Sequence, residues 1–193
     1  MQDQQGARDL NQDQTVPQQS AVEPPKKRPP LLVTAELPAD VFAWADGLRR
    51  AHFPPERNRL RAHVTLFHAL PPFVEDELRD VLGELTAAPP PQARISGLMK
   101  LGGGTALAID SPELVELHGV IAERMHGLMT RQDQQPLRLH VTIQNKVTGE
   151  EARALQAQLG PTLEPRAFRF AGFGLYAYEE GLWRPIRTFA FRG

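Results

Sequence analysis

The first thirty residues carry no apolar rhythm, and from Leu31 onward alternating and helical patterns run almost to the C-terminus. Met1 to about Pro30 is rich in Gln, Asp and Pro and lacks the apolar periodicity that would offset the entropy of ordering it. Residues 1–30 are therefore expected to form a disordered tail, with Lys26-Lys27-Arg28 read as a solvated basic turn rather than an RNA contact. Leu31 to Leu37 predicts a strand, followed by a helix in which Val41, Trp44 and Leu48 recur at helical spacing. Leu60 to Leu66 predicts a second strand. After it, Val74, Leu78, Val81, Leu82 and Leu85 line one face of a helix that stops before Pro89-Pro90-Pro91.

The second half follows a similar order. Ala93–Met99 and Thr105–Ile109 read as paired strands around Gly102-Gly103-Gly104, a turn rather than a phosphate loop because no Gly-Lys-Ser/Thr follows. Ser111 as cap and Pro112 at the first helical position open a helix whose stripe is Leu114, Leu117, Ile121, Met125 and Leu128. Leu137–Ile143 predicts another strand, and Thr148-Gly149-Glu150-Glu151 is a capping box opening a helix through Ala154, Leu155 and Leu159. Arg166–Tyr178 and Leu182–Phe191 are expected strands flanking the hairpin turn Glu179-Glu180-Gly181. Each half thus combines strands with one or two helices, an α+β duplication with antiparallel pairing.

The two halves also repeat one motif. Leu60-Arg61-Ala62-His63-Val64-Thr65-Leu66 and Leu137-Arg138-Leu139-His140-Val141-Thr142-Ile143 match in register. On an ideal strand residues two apart share a face, so Arg61, His63 and Thr65 point one way, as do Arg138, His140 and Thr142. Val64, Leu66, Val141 and Ile143 then face a core. Two imidazoles, two hydroxyls and two guanidinium groups on one surface suit a phosphate ester better than an apolar ligand. Cleaving a phosphodiester needs a base for the nucleophile's proton and an acid for the leaving oxygen. An imidazole pKa of ~6.5 lets one ring be neutral and the other protonated, and positioned proton transfer contributes about 10² to 10⁴ in rate. Thr65 and Thr142 can donate to the non-bridging oxygens. This chemistry calls for no metal and no cofactor.

Composition narrows the field further. The 41% hydrophobic content of 193 residues is enough for a sizeable core. No apolar run approaches the ~20 residues that cross a bilayer, and no secretory leader is evident, so no membrane partner is expected. The absence of cysteine removes disulfides, a thiolate nucleophile and thiolate zinc sites, and fits a cytoplasmic location. With 22 basic and 23 acidic residues the net charge is −1, which argues against a broad surface for duplex nucleic acid. A small or terminal phosphate is easier to accommodate.

The motifs His63-Val64-Thr65-Leu66 and His140-Val141-Thr142-Ile143 resemble those of the 2H phosphoesterase superfamily, in particular its bacterial LigT-like branch of 2′,5′ RNA ligases and cyclic phosphodiesterases. The resemblance covers about Leu31 to Gly193. It implies that residues 31–193 form one bilobal domain, two pseudo-symmetric α+β lobes whose antiparallel sheets flank a central cleft. It also implies metal-independent hydrolysis of a 2′,3′-cyclic phosphate to a 2′-phosphate, with reversible 2′,5′ joining of RNA ends in some members. The partner would be an RNA end or a small cyclic nucleotide, and one chain holding both motifs would suffice as a monomer. Analogy favours His140 as base and His63 as acid, although the residues alone do not orient the pair.

Other residues are weaker candidates. Extending the second strand puts Gln144 and Lys146 on the His140 face, and Phe67 shares the His63 face as a possible stacking platform. Arg61 and Arg138 would either contact substrate or pair with structural carboxylates. Tyr176, Tyr178 and Trp183 near the last hairpin could stack on a base, with a core or rim role favoured for each. His68 falls on the face opposite His63 and is expected to be structural rather than half of a metal pair. His52, His118 and His126 receive no role. Two other readings stay open: a nucleotide- or RNA-end-binding module with little turnover, and a metal-dependent hydrolase.

Overall fold

A computed structural model describes residues 28–193; all but the last few residues of the expected tail, Lys26 and Lys27 included, lie outside them. Eight strands and four main helices follow one another in the order β1 (Leu31–Glu36), α1 (Ala39–His52), β2 (Val64–Leu70), α2 (Glu75–Leu85), β3 (Gln92–Lys100), β4 (Gly104–Asp110), α3 (Pro112–Arg124), β5 (His140–Asn145), α4 (Gly149–Leu159), β6 (Arg166–Arg169), β7 (Gly172–Glu179) and β8 (Leu182–Ala190). They build two four-stranded antiparallel sheets, β2-β1-β7-β8 and β5-β4-β3-β6. This is the expected bilobal α+β architecture.

The lobes do not coincide with the halves of the sequence. Arg166–Tyr178, expected as one strand, breaks at Phe170-Ala171: β6 closes the second sheet against β3, while β7 crosses to the first and pairs with β1. Phe170 is buried at the break, so the crossover runs through the core that both sheets share. The β7–β8 hairpin turns on Glu180 (φ 50°) and Gly181 (φ 84°), a two-residue loop with both centres left-handed, matching the twist of the flanking strands. The expected caps form: the Ser111 hydroxyl accepts from the Leu114 amide at 3.3 Å, and Thr148 and Glu151 cap each other reciprocally.

Helix α1 departs most from its expected stripe. Trp44 and Leu48 are only partly buried, whereas Asp46 and Arg49 are buried beside Val41 and Ala45. The helix packs against β5 of the other sheet, so one of its edges lies between the lobes, where polar side chains tie loops and strands together.

A second polar staple holds the segment before β5. The Asp133 carboxylate accepts from the His68 amide (2.8 Å), the Ala69 amide (3.2 Å), His68 Nδ1 (2.9 Å) and the Thr130 hydroxyl (3.0 Å). These donors hold its carboxyl below the usual carboxylate range despite burial. The structural role expected of His68 is carried by these hydrogen bonds to Asp133. Replacing Asp133 by Ala leaves two strand amides without their partner and is expected to cost about 2–4 kcal/mol, measurable by urea denaturation. An unchanged midpoint would mean that water replaces the carboxylate.

Candidate active site

The motif strands β2 and β5 are the edge strands of their sheets; His140 opens β5, and His63 immediately precedes β2. His63 Nδ1 lies 2.7 Å from the Arg61 carbonyl oxygen, and His140 Nδ1 lies 2.6 Å from the Arg138 carbonyl oxygen. A carbonyl only accepts, so in both rings Nδ1 is the donor and Nε2 is left for chemistry. The same two-residue link, made twice, gives both imidazoles one tautomer and one orientation relative to their strands.

Both motif strands also carry a bulge at the matching position. Thr34 pairs with Thr65 but Val33 pairs with Phe67, leaving Leu66 as the extra residue; Ala106 pairs with Thr142 but Thr105 pairs with Gln144, leaving Ile143 extra. A bulge reverses side-chain alternation beyond it. Thr65 and Thr142 therefore stay on the histidine face, half-buried, and neither hydroxyl bonds another side chain among the described residues. The residues two further along do not. Phe67 is fully buried and stacks on His118 (centroids 4.5 Å apart), and Gln144 is buried with its amide oxygen 3.4 Å from the Thr105 hydroxyl that donates to it. Their expected place on the histidine face is corrected by the bulges. Lys146 lies beyond the end of β5 with φ 63°, exposed, its carbonyl accepting from Arg57, so the strand-face argument for it also lapses.

The other expected contacts divide. Arg61 and Tyr176 line a cavity of about 640 Å³ next to His63, together with Glu36, Phe42, Arg59 and Trp183. The Arg61 guanidinium lies over the Phe42 ring at 4.3 Å and 4.0 Å from Asp46. Arg138 is exposed, and its clear contribution is the backbone carbonyl that holds His140. Trp183 packs against the His63 ring with centroids 4.4 Å apart, and Tyr176 lies 5.8 Å from Trp183. The Tyr176 hydroxyl donates to Glu36 Oε1 at 3.1 Å; burial and the neighbouring carboxylate push its pKa up to about 12, so it stays protonated.

Buried Arg49 joins the motifs. Its Nε donates to Asn58 Oδ1 (2.9 Å) and to the Leu60 carbonyl (3.0 Å), and Nη1 donates to the Thr142 carbonyl at 2.7 Å. One side chain of α1 thus ties the approach to the first motif to the threonine of the second. Asp46, one turn earlier, accepts from the Ala62 amide at 2.9 Å. Burial among these groups pushes the His63 pKa down to about 4, and the fields of Arg49 and His140 add to the shift. His63 is therefore neutral at physiological pH in the free protein.

A family model described as the 2′-5′ RNA ligase superfamily matches residues 37–182. The chain belongs to that superfamily. A search of curated proteins found no match. Among solved structures, a Thermus thermophilus protein aligns with TM-score 0.58 at 16% identity, covering 85% of this chain and 98% of its own. E. coli LigT aligns with TM-scores of 0.55 in its complex with 3′-AMP and 0.57 in its complex with NADP+, at 19% and 21% identity. In both, 86% of this chain and 99% of LigT are covered. The shared feature is the fold.

Within this 2′-5′ RNA ligase superfamily member, sequence reasoning did not single out Arg49, Asp46 and Glu36, and Trp183, read as core or rim, lines the cavity against the His63 ring. Glu36 had a signal: with Thr34 it forms the polar alternate positions of an otherwise apolar strand. Arg49 had none, because nothing in Leu48-Arg49-Arg50 says which arginine enters the interior. Among the described residues, no group of three or more His, Asp or Glu side chains is placed to hold a metal ion, and no helix is long and apolar enough to cross a membrane.

Proposed function

We propose that the protein is a phosphodiesterase that opens 2′,3′-cyclic phosphates of RNA ends or small nucleotides to 2′-phosphates with water, and that with a 5′-hydroxyl in place of water the same opening reversibly joins ends through a 2′,5′ bond. The observation that carries this reading is the pair of identically anchored histidines, each with Nε2 free and a threonine on the same strand face. Neutral His63 takes a proton from water through Nε2 as the oxygen attacks phosphorus. The bond from phosphorus to the 3′-oxygen breaks, and His140, entering the step in its protonated form, gives its own proton to that oxygen. Thr65 and Thr142 donate to the non-bridging oxygens as charge builds on them. No metal enters this scheme. The orientation is opposite to the one that analogy favours, because the lowered pKa leaves His63 unprotonated, the form from which a base starts. In this reading residues 31–193 act as one domain and a single chain suffices, and the partner is an RNA end or a small cyclic nucleotide, with the E. coli LigT complex with 3′-AMP as support for a nucleotide ligand.

The test is incubation with 2′,3′-cyclic mononucleotides and an oligonucleotide ending in a 2′,3′-cyclic phosphate, with chelator present. A 2′-phosphomonoester is expected; a folded protein that forms no product from any of them overturns the reading. The pH profile tests the roles. His63 gains its proton only as pH falls through about 4, so kcat/KM is expected to hold down to about pH 5 and then decline. An acid limb near 6.5 that tracks the His63 ring in an NMR titration would return His63 to the role of acid.

A further inference from the structure

The cavity beside His63 ends on a carboxylate that the proposed chemistry does not use. Glu36 Oε1 accepts from the Thr34 hydroxyl at 2.7 Å and from the Tyr176 phenol at 3.1 Å, which fills its two lone-pair directions. Oε2 has no partner, and Glu36 forms no ion pair, among the described residues. The carboxylate sits in space kept open by glycine: a Cβ at Gly174, the β7 residue paired with Thr34, would collide with Glu36 Oε1, the Tyr176 ring and the Thr34 hydroxyl. Only glycine there leaves room for the trio. From His63 the contacts run through the Trp183 ring to Tyr176 and then to Glu36, so an aromatic surface leads from the proposed phosphate site to the carboxylate.

A flat ring that stacks on Trp183 and offers N–H groups at its far edge fits this arrangement. We infer that the cavity is a nucleobase subsite in which the free Glu36 oxygen selects guanine, and this rests on the proposal that a nucleotide phosphate sits between the histidines. Guanine presents adjacent donors, N1–H and the N2 amino group, on its Watson–Crick edge. Uracil flanks its single donor with two carbonyl oxygens, which the carboxylate repels. Adenine and cytosine, with one amino group beside an acceptor, fall between. Tyr176 supports the selection because its high pKa keeps the phenol a donor to Oε1, leaving Oε2 an acceptor only.

The experiment compares kcat/KM for the four 2′,3′-cyclic mononucleotides and, by calorimetry, the affinities for 2′-GMP and 2′-UMP, in wild type and Glu36→Gln. A hydrogen bond to a charged group predicts a guanine preference over uracil of about tenfold or more. Glu36→Gln keeps an oxygen for Thr34 and Tyr176 but places an amide donor in the cavity, so the preference is expected to shrink or turn toward uracil. A general loosening of the site would weaken all bases alike. Equal affinities in wild type, or a preference that survives Glu36→Gln in a protein with native circular dichroism, overturns the inference. If no cyclic nucleotide is turned over, the catalytic reading fails, while the binding comparison still decides the base preference.

Discussion

His63→Ala and His140→Ala are each expected to lower kcat/KM on a cyclic phosphate by about 10² to 10⁴, with the double variant little worse than either single one. The reason lies in the geometry. Each ring is fixed by a bond to the carbonyl two residues before it, so each Nε2 has one task at one place, and neither ring is placed to take over for its partner. Once the base is missing, the acid has no developing charge to answer, which is why the effects do not multiply. Neither ring bonds a second side chain among the described residues, so the variants should fold; unchanged circular dichroism checks this. A variant that keeps more than about a tenth of wild-type activity would mean that its histidine is not a proton donor or acceptor in the reaction. Thr65→Val and Thr142→Val should be milder, because each removes one donor and leaves the other.

The parts of this molecule legible in the sequence were those set by local chemistry. Ser111 before Pro112, the Thr148 to Glu151 box and the Glu180-Gly181 turn each specify their own geometry, and each is found where the sequence puts it. The histidines and threonines were legible because the duplication repeats them in register. Long-range choices were not. Nothing in Arg166 to Tyr178 tells β6 and β7 to enter different sheets, since the break at Phe170 places that ring in the core both sheets share, a long-range contact. The two bulges were equally hidden. Leu66-Phe67 and Ile143-Gln144 read as ordinary continuation of period two, yet the partner strands β1 and β4 supply one residue fewer there, and Phe67 and Gln144 turn inward. A face argument along a strand holds only as far as its pairing is regular.

Arg49→Met is expected to cost about 3 kcal/mol or more, although it keeps the apolar bulk of the side chain. Three acceptors lose their donors at once: Asn58 Oδ1, the Leu60 carbonyl and the Thr142 carbonyl. Each partly buried acceptor left without its donor carries a penalty of about 1 kcal/mol or more, and Asp46 loses one of its neighbouring cations. For a chain of this size, that should lower Tm by roughly 6–12 °C. The functional consequence is separate. Arg49 is a positioning residue, since it aligns the approach to His63 with the strand of Thr142, and its charge also helps hold the His63 proton affinity down. Arg49→Met should therefore raise the His63 pKa from about 4 toward the ordinary value and move the acid limb of the rate profile to higher pH. Arg49→Lys separates the two effects. It restores a positive charge without the planar fork that reaches Leu60 and Thr142 together, so the His63 titration should return most of the way while kcat stays depressed. If both variants titrate and turn over as wild type does, the lobes keep their alignment without Arg49, and the link between the motifs must lie in the backbone contacts of α1 with β5 instead.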